Sequence, residues 1–285
     1  MDNDNNTPAG KEQETSPRGE YFAPKLELSD STREVFEKYS KIPPNEVLPH
    51  VYAIREKAWS IHPYPCIGLG RFLHMGIGTH RLYHTEILPR MLTGEQSYLD
   101  LGCAFAQDIR RLVADGVDSK MCYASDLQLD FLDLGYELFR DRESLRSRFI
   151  AADVFDAGSP LMELEGKIDI VDASSFFHLF AWEDQKRIAR IVVKLLRARE
   201  HSLVVGRQIG NQEAGDYGQR DGQGTRYWHN AESWKKMWKE IGEEVGVKFE
   251  VEVVTRSMAE ELGRAMQRPE DEKGLGMEFS VRRLS

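Results

Sequence analysis

Apolar residues recur in two different spacings along this chain, and from residue 97 onwards the two spacings alternate. Short apolar runs predict five strands, at 97–101, 121–125, 149–152, 168–173 and 202–207. Amphipathic stretches between them predict helices over 107–115, 127–139 and 182–196. Strands separated by helices predict βαβ units, a parallel sheet and helices on both faces of that sheet.

The pattern changes after the fifth strand. Residues 210–224 are polar and rich in glycine, which is typical of a functional lid or a disordered loop. An amphipathic helix with Trp234 and Trp238 follows, with Asn230 as its N-cap, and then a strand at 247–255, a short helix from Ser257 and a last strand at 277–282. Two terminal strands after five βα units predict a seven-stranded, mostly parallel sheet with an antiparallel edge.

The first 95 residues show neither the strand spacing nor the helix spacing over a long stretch. Residues 1–20 carry almost no apolar side chain, which predicts a disordered tail. We expect helices from a capping box at 31–34 through Tyr39, over 45–61 and over 79–91. Proline, glycine and aromatic residues at 62–72 predict a loop folded over a pocket. The chain therefore divides into a tail at 1–20, a helical extension or lid at 21–95 and a catalytic domain at 96–285.

Composition narrows the class of ligand and the compartment. The 285 residues carry a formal charge of −9, which disfavours a nucleic-acid partner. The three cysteines are far apart, so neither a zinc site nor a disulfide framework is expected. No apolar run approaches the roughly 20 residues that span a bilayer, and no signal peptide is visible. We expect a cytoplasmic protein.

Candidate chemistry begins at the turn between the first strand and its helix. Asp100 and Gly102 introduce a turn of small residues, which lets the backbone approach a nucleotide-like ligand beyond the carboxyl ends of the strands. Asp126 ends the second strand, where a carboxylate can accept both ribose hydroxyls. Asp153 follows the third strand and could accept from an adenine amino group. Each acid could also be only a helix cap or a turn former, but all three at successive strand ends favour S-adenosylmethionine (SAM).

A dinucleotide is the competing ligand. Asp126 alone would also suit NAD, yet the turn Gly102-Cys103-Ala104-Phe105-Ala106-Gln107 is not G-x-G-x-x-G. It also follows three predicted helices, and no hydride-transfer residues accompany it. An NAD-dependent dehydrogenase is therefore the second choice among enzymes.

Several blocks of the sequence resemble one group of class I methyltransferases, the fungal enzymes of meroterpenoid pathways such as those to austinol, terretonin and andrastin. The blocks are 100–108, 125–127, 133–141, 149–153, 166–170, 175–180 and 206–208, with Trp59, 63–68 and 71–72 upstream. The resemblance implies a Rossmann-like fold and SAM-dependent methylation of an oxygen, with the carboxylate of a prenylated aromatic polyketide acid as acceptor. It departs at Ala106, where glycine is expected. If residue 106 has a positive φ, we expect its methyl to crowd the methionine part of SAM.

The sites follow from these positions. The expected cofactor-binding residues are Asp100, Gly102, Ala104, Gln107, Asp108, Asp126, Leu127, Asp153, Val154 and Ser174. His178 is the catalytic candidate, as a base or as a donor that orients a carboxylate, and a core histidine is the alternative. The expected substrate residues are Trp59, Tyr64, Arg71, Phe72, Trp182, Arg207, Gln208 and His229.

We expect Trp59, Tyr64, Phe72 and Trp182 to form one apolar wall for a prenyl chain. We expect Arg207 to bind a carboxylate unless it pairs with an acid such as Asp172, and His229 to reach the acceptor pocket. No metal site is expected, and the acceptor is a small carboxylic acid or a phenol. A homodimer is compatible with the sequence. A non-catalytic protein with the methyltransferase fold is the alternative from another class.

Overall fold

A seven-stranded sheet forms the centre of the protein. The computed structural model describes residue 19 and residues 21–219, 224–258 and 273–285. The sheet strands are β1 (Tyr98–Leu101), β2 (Cys122–Asp126), β3 (Arg148–Ala151), β4 (Ile170–Asp172), β5 (Leu203–Asn211), β8 (Phe249–Ser257) and β9 (Gly274–Arg283). They lie in the order β3-β2-β1-β4-β5-β9-β8, with β1–β5 parallel and β9 antiparallel to both of its neighbours. The predicted mostly parallel sheet is confirmed.

Helices cover both faces of this sheet. They are α1 (Asp30–Glu34), α2 (Pro44–Ile61), α3 (Pro65–Gly68), α4 (Leu88–Leu92), α5 (Gln107–Ala114), α6 (Leu129–Phe139), α7 (Trp182–Leu195) and α8 (Ala231–Val245). Side chains of α7 and α8 pack in one buried cluster with the sheet. Side chains of α5 and of residues 77–91 pack in the cluster on the other face. Burial on both faces explains why β1, β4 and most of β5 have no exposed residue.

The N-terminal residues pack on α6 and on the β1–α5 turn. Phe36 stacks on Phe139 with 5.2 Å between the ring centroids, and Phe72 meets Phe105 edge to face at 5.0 Å. A third buried cluster joins these rings to Val47, Val51 and other side chains of α2. The order of the strands reverses between β1 and β4, so this cluster lies beside the point where a doubly wound sheet binds its ligand.

Several local expectations are corrected. Ser29 rather than Ser31 is the N-cap of α1. Residues 79–91 do not form one regular helix: a 3-10 turn ends at Thr79, residues 80–82 form a turn, and the π-helical turn Tyr83–Ile87 leads into α4. The predicted loop at 62–72 contains α3 and a 3-10 turn at Arg71–Leu73. Asn230 is the N-cap of α8, as predicted.

The polar segment at 210–224 is neither a lid without structure nor a disordered loop over its described part. β5 continues to Asn211 because β9 pairs with it along its whole length. The chain then forms β6 (Gly215–Gly218), which pairs with β7 (Thr225–Trp228) as a hairpin. The predicted tail at 1–20, apart from Gly19, and most of the predicted helix from Ser257 lie outside the described residues.

Candidate active site

The turn between β1 and α5 folds back onto the end of β2. Gly102 and Cys103 donate their backbone N–H groups to the Ser125 carbonyl, and Ala104 donates its N–H to Asp126 Oδ2 at 2.8 Å. Gly102 has a φ of +76°, and Ala104 has a φ of +48°. The positive φ values turn the chain within a few residues, so α5 begins directly beside the carboxyl end of β1.

Ala106 also lies in the left-handed region, with φ 50° and ψ 44°. The expectation that its methyl would crowd the methionine part of SAM is not supported, because the side chain is fully buried among core residues such as Ile109 and Tyr83. The methyl group therefore occupies core space and not the cleft above the turn. What remains is the conformational cost of a left-handed alanine.

Asp126 links the turn to the start of the next helix. Its two carboxylate oxygens accept from the backbone N–H groups of Ala104 and Gln128, at 2.8 and 3.0 Å. Burial raises the pKa of Asp126, and the backbone N–H donors oppose that rise. Leu127, directly after it, is 61% exposed. An apolar side chain thus stands open to solvent next to an oriented carboxylate, where the sequence predicts the ribose and adenine.

Asp153 lies at the same edge of the sheet as Asp126. β2 and β3 are paired with Asp126 opposite Ala151, and Ala152 donates to the Asp126 carbonyl. The exposed Asp153 accepts from the Phe155 N–H at 2.9 Å, and Val154 is buried. Asp153 therefore forms a turn through one carboxylate oxygen, and its expected contact with adenine stays a prediction.

Three carboxylates are buried together below the turn. Asp108 accepts from the Ile77 N–H, and Asp172 accepts from the Tyr98 hydroxyl at 2.9 Å. Ser174 donates its N–H and its hydroxyl to the other oxygen of Asp172. Asp100 Oδ2 is buried without a hydrogen-bond partner in the described part of the chain.

These carboxylates carry an excess of negative charge. Burial, followed by the charges of neighbouring acids, raises the pKa of Asp100 well above its usual range and that of Asp108 to about 8. Burial raises the pKa of Asp172 as well. None of the three forms a salt bridge with lysine or arginine within the described ranges. A cationic ligand would stabilise their charged forms, and the ammonium and sulfonium groups of SAM have the required charge.

Gln107 adds one more unused acceptor at this place. Its side-chain Oε1 is buried and has no hydrogen-bond partner among the described residues. A buried acceptor without a partner is costly unless a ligand or a water supplies a donor. The ammonium group of SAM is such a donor, so the residues present at the turn fit this cofactor.

His178 lies on the opposite side of the strand ends from Asp126. It is buried in the 3-10 turn Phe177–Leu179, which follows β4. The β6–β7 hairpin covers this turn, since Tyr227 donates its N–H to the Phe180 carbonyl and Gln219 donates its amide to the Leu179 carbonyl. His178 is thus held between the strand ends and the hairpin.

Gln208 on β5 lies close to the same turn, because Ser175 donates its N–H to the carbonyl of the adjacent Arg207 at 2.6 Å. The Gln208 side chain is 4% exposed, and neither its Oε1 nor its Nε2 has a hydrogen-bond partner within the described ranges. A buried amide without hydrogen-bond partners is energetically costly, so we expect a ligand or a water to form hydrogen bonds with it. The structure keeps Gln208 as a candidate substrate residue.

Arg207 has an internal partner. Its guanidinium donates to Glu278 Oε2 at 2.7 and 3.1 Å and to the Thr79 carbonyl. The acid that it engages is Glu278 of β9 and not Asp172. Its side chain therefore joins β9 to the N-terminal residues, and two of its three guanidinium nitrogens are already engaged.

The expectation that His229 reaches the acceptor pocket is wrong. The ring is buried, with Nε2 3.1 Å from Gln185 Oε1 and Nδ1 2.9 Å from the Ser233 hydroxyl. Burial lowers its pKa to about 3. His229 is therefore a neutral residue that joins β7 to α7 and α8.

The predicted aromatic wall is divided between two places. Trp59, Tyr64 and Phe72 all belong to the N-terminal cluster on the turn side. Trp182 packs against Tyr227 at 4.8 Å on the α7 side of the sheet. The single apolar wall of these four residues therefore stays a prediction, with Trp182 in a different cluster from the other three.

Tyr64 and Arg71 lie on the side of the site that contains Asp126. Burial and the charge of Asp126 raise the pKa of Tyr64, and the Tyr64 ring lies 5.8 Å from Phe131. Burial raises the pKa of Cys66, while the charge of Arg71 lowers it and that of Asp126 raises it. Residues 64–71 thus border the carboxylate that the sequence assigns to the ribose.

Two features of the site escaped prediction. The Phe176 ring stands over Gly102, so a Cβ at residue 102 would lie 2.4 Å from it. The buried Arg110 binds Asp141, far from it in sequence. The position of Asp172 at the end of β4 gave a usable signal for the acid cluster, but no local pattern points to Phe176 or to the partner of Arg110.

Several known proteins are similar to this chain in sequence. A family model described as "Meroterpenoid methyltransferase N-terminal domain" matches residues 21–73. O-methyltransferase phiE of a fungal species (strain ATCC 74256) is 45% identical over 80% of this chain and 78% of its own length. Asnovolin E/chermesin D methyltransferase nvfJ of Aspergillus novofumigatus is 41% identical over 74% of this chain and 75% of its own length.

The chain belongs to the fungal meroterpenoid methyltransferase family. It is accordingly a methyltransferase, and the predicted enzyme class is confirmed. The family model begins at residue 21, where the sequence predicts that order begins, and ends at 73, before the predicted boundary near 95.

Solved structures agree on the fold alone. The [4+2]-cyclase SpnF has a TM-score of 0.50 at 15% identity, over 70% of this chain and 80% of that one. A SAM-dependent methyltransferase from Mesorhizobium loti has a TM-score of 0.46 at 16% identity, over 73% of this chain and 100% of that one.

Within the described ranges, no helix is long and apolar enough to span a membrane, and no three His, Cys, Asp or Glu side chains are grouped as metal ligands.

Proposed function

We propose that this enzyme transfers the SAM methyl group to an oxygen of a small secondary-metabolite acid, forming the methyl ester of a prenylated aromatic polyketide carboxylate. The observation that carries the proposal is the pairing of two neighbouring sites at the strand ends. One has buried carboxylates that form no salt bridge with lysine or arginine in the described part of the chain, which suits a cation. The other has His178 and the unpartnered amide of Gln208, which suit an acceptor oxygen.

On the cofactor side, Asp126 would accept from the ribose hydroxyls, and Leu127 with Val154 would border the adenine. Asp153 would accept from the adenine amino group through the oxygen that the Phe155 N–H leaves open. Asp100, Gln107 and Asp108 would face the ammonium end, with Ser174 fixing Asp172 beside them. Gly102 and Ala104 would supply the close backbone approach.

On the acceptor side, methyl transfer from a sulfonium needs the acceptor oxygen held in line with the methyl group. A carboxylic acid has an ordinary pKa of about 4 and is already ionised at pH 7, so alignment is the whole requirement. Gln208 can donate its amide N–H groups to such a carboxylate, and His178 can hold its other oxygen. Arg207 is not part of this proposal because Glu278 already engages it.

Relatives support oxygen as the acceptor. Two of them, phiE and the atr3 protein of Stereocaulon alpinum, are named O-methyltransferases, and the latter is 43% identical over 67% of this chain. A phenol is the second candidate, and it would need a base, since its ordinary pKa is near 10. The cytoplasmic location and the homodimer stay predictions from the sequence.

The test is product analysis with the full-length enzyme. It is incubated with SAM and a panel of prenylated aromatic acids, matched with phenols that lack the acid, and the products are detected by mass spectrometry. Mild base should release methanol from the product and regenerate the acid, because esters hydrolyse and aryl ethers do not. A base-stable product formed from the phenols would overturn the carboxylate proposal, and absence of any SAM binding would favour a non-catalytic protein.

His178→Ala should lower kcat by about 10²- to 10⁴-fold if His178 acts as a base, and far less if it only orients a carboxylate. In both cases the Kd for SAM should change little, because His178 and Asp126 lie on opposite sides of the strand ends. Calorimetry and steady-state kinetics on the same preparation separate the two effects. A carboxylate acceptor also predicts a rate that is nearly flat between pH 6 and 9.

A further inference from the structure

A chain of polar contacts runs from the N-terminal residues to the SAM turn. The Tyr39 hydroxyl donates to Asp141 Oδ2 at 2.7 Å, across 102 residues of sequence. Both oxygens of Asp141 accept from Arg110, which donates through Nε and Nη2 at 2.9 Å each. The pair is almost fully buried, with the Arg110 side chain 0% and that of Asp141 3% exposed.

The far end of this chain lies on the turn itself. Arg110 Nη1 donates to the Phe105 carbonyl at 2.7 Å and contacts the Ala106 carbonyl at 3.4 Å. The rings of Tyr136, Phe139 and Phe149 lie about the guanidinium, each centroid 5.0–5.3 Å from its carbon. The ion pair with Asp141 and the surrounding rings hold the guanidinium in one orientation. The guanidinium in turn fixes the positions of the Phe105 and Ala106 carbonyls.

The space for these contacts depends on Gly135 of α6. A Cβ there would lie 2.6 Å from the Phe105 carbonyl oxygen and 3.3 Å from Arg110 Nη1. From the other side, Phe72 of the N-terminal residues presses its ring on Phe105. The turn is therefore held by contacts from both Arg110 and the N-terminal cluster.

Ala106 is the residue that needs such restraint. An L-residue in the left-handed region costs roughly 1–2 kcal/mol, whereas glycine adopts that region freely. Hydrogen bonds to its carbonyls are therefore needed to keep a turn with Ala104 and Ala106 in the geometry that SAM requires.

We propose that Tyr39 is a positioning residue for the cofactor site: it orients Asp141, which fixes Arg110, which holds the Phe105–Ala106 peptide in the conformation that binds SAM. The N-terminal residues matched by the family model thus contribute to cofactor affinity without touching the cofactor. This inference rests on the proposed placement of SAM at the β1–α5 turn.

A double-mutant cycle on full-length protein tests it, with SAM and S-adenosylhomocysteine as calorimetric probes. Tyr39→Phe removes one hydroxyl and should raise both Kd values by on the order of fivefold, a usual size for coupling between distant sites. In the Ala106→Gly background the same change should have much less effect, because glycine does not need the restraint. The acceptor KM should change little.

Tyr52→Phe is the matched control, since the Tyr52 hydroxyl accepts the Leu26 N–H inside the N-terminal cluster and does not reach the turn. Its Kd for SAM should equal that of the unmodified enzyme, and the Tm of each ligand-free variant identifies any general loss of stability. Equal penalties for Tyr39→Phe with Ala106 and with Ala106→Gly, or no penalty at all, would overturn the inference. If the unmodified enzyme binds SAM but Asp126→Asn does not weaken it, the placement of SAM fails instead.

Discussion

Two alanines of the β1–α5 turn adopt the backbone conformation that glycine adopts at little cost. Ala104 and Ala106 have φ values of +48° and +50°. The first is held by its N–H bond to Asp126 and the second by contacts with Arg110. Single residues of this turn are thus maintained by partners on β2 and α5 and not by their own preference.

Asp126 carries the first prediction at this scale. Asp126→Asn removes the charge from the carboxylate that is proposed to bind the ribose, and charge-assisted hydrogen bonds are worth about 1.5–3 kcal/mol. The Kd for SAM, measured by calorimetry, should therefore rise by roughly 10- to 150-fold. Asp118→Asn is the control, since Asp118 lies before β2 at its other end and accepts only locally, from Lys120. An unchanged Kd for Asp126→Asn would refute the assignment.

Asp108 predicts how stability depends on pH. Burial, and then the charge of Asp172, raise its pKa to about 8 in the folded enzyme, against about 3.9 when unfolded. Between these values the folded state binds more protons than the unfolded state, so stability is highest at the acid end of this window and falls as pH rises through it. The Tm of ligand-free protein should decline from pH 5 to 9.

Asp108→Asn provides the comparison for that curve. The amide keeps an oxygen for the Ile77 N–H but cannot ionise, so the decline in Tm should become shallower. SAM should also flatten the curve of the unmodified enzyme, because its positive charges stabilise the ionised acids. A Tm that rises between pH 5 and 9 in both proteins would contradict a raised pKa of Asp108.

At the scale of elements, the β6–β7 hairpin is joined to α7 by one buried amide. Gln185 Nε2 donates to the carbonyls of Phe180 and Tyr227, and its Oε1 lies 3.1 Å from His229 Nε2. Gln185 thereby connects the turn that carries His178 with the strand that covers it.

Gln185→Leu should lower the free energy of unfolding by about 1–3 kcal/mol, because it leaves buried polar groups without partners. Denaturant unfolding measures this loss. Gln219→Leu is the control, since its amide makes one bond near the surface, to the Leu179 carbonyl, and should matter far less. If both variants lose the same stability, the hairpin is not held through Gln185.

At the scale of the whole molecule, the N-terminal residues are packed firmly onto the rest of the protein. The Phe36–Phe139 stack, the Phe72–Phe105 contact and the Tyr39–Asp141 hydrogen bond all join the two parts. The ligand-free enzyme should therefore unfold in a single calorimetric transition. Phe36→Ala should lower the Tm of that whole transition, with a loss of about 3–5 kcal/mol. An early separate transition for the N-terminal residues would contradict this, and the exposed Lys38→Ala serves as the control.

The sequence by itself determined the alternation of strands and helices and the acids at the strand ends. The spacing of apolar residues reflects local burial. It therefore allowed us to predict β1–β5, α5–α8 and the cap at Asn230. Asp126 and Asp153 were predicted as site residues because parallel strands bring their carboxyl ends to one edge. Resemblance to a known family supplied the chemistry of the acceptor, which no spacing carries.

The tertiary structure alone decided which side chains meet. Residues 210–211 and 215–218 form strands and not a loop because β9 and β7 offer partners far along the chain. Arg207 engages Glu278, 71 residues away, and His229 is enclosed by α7 and α8. Ala106 tolerates a positive φ because Arg110, Asp141 and Tyr39 are brought together from three separate segments. Such contacts depend on packing in three dimensions, so they cannot be predicted from the residues of one segment alone.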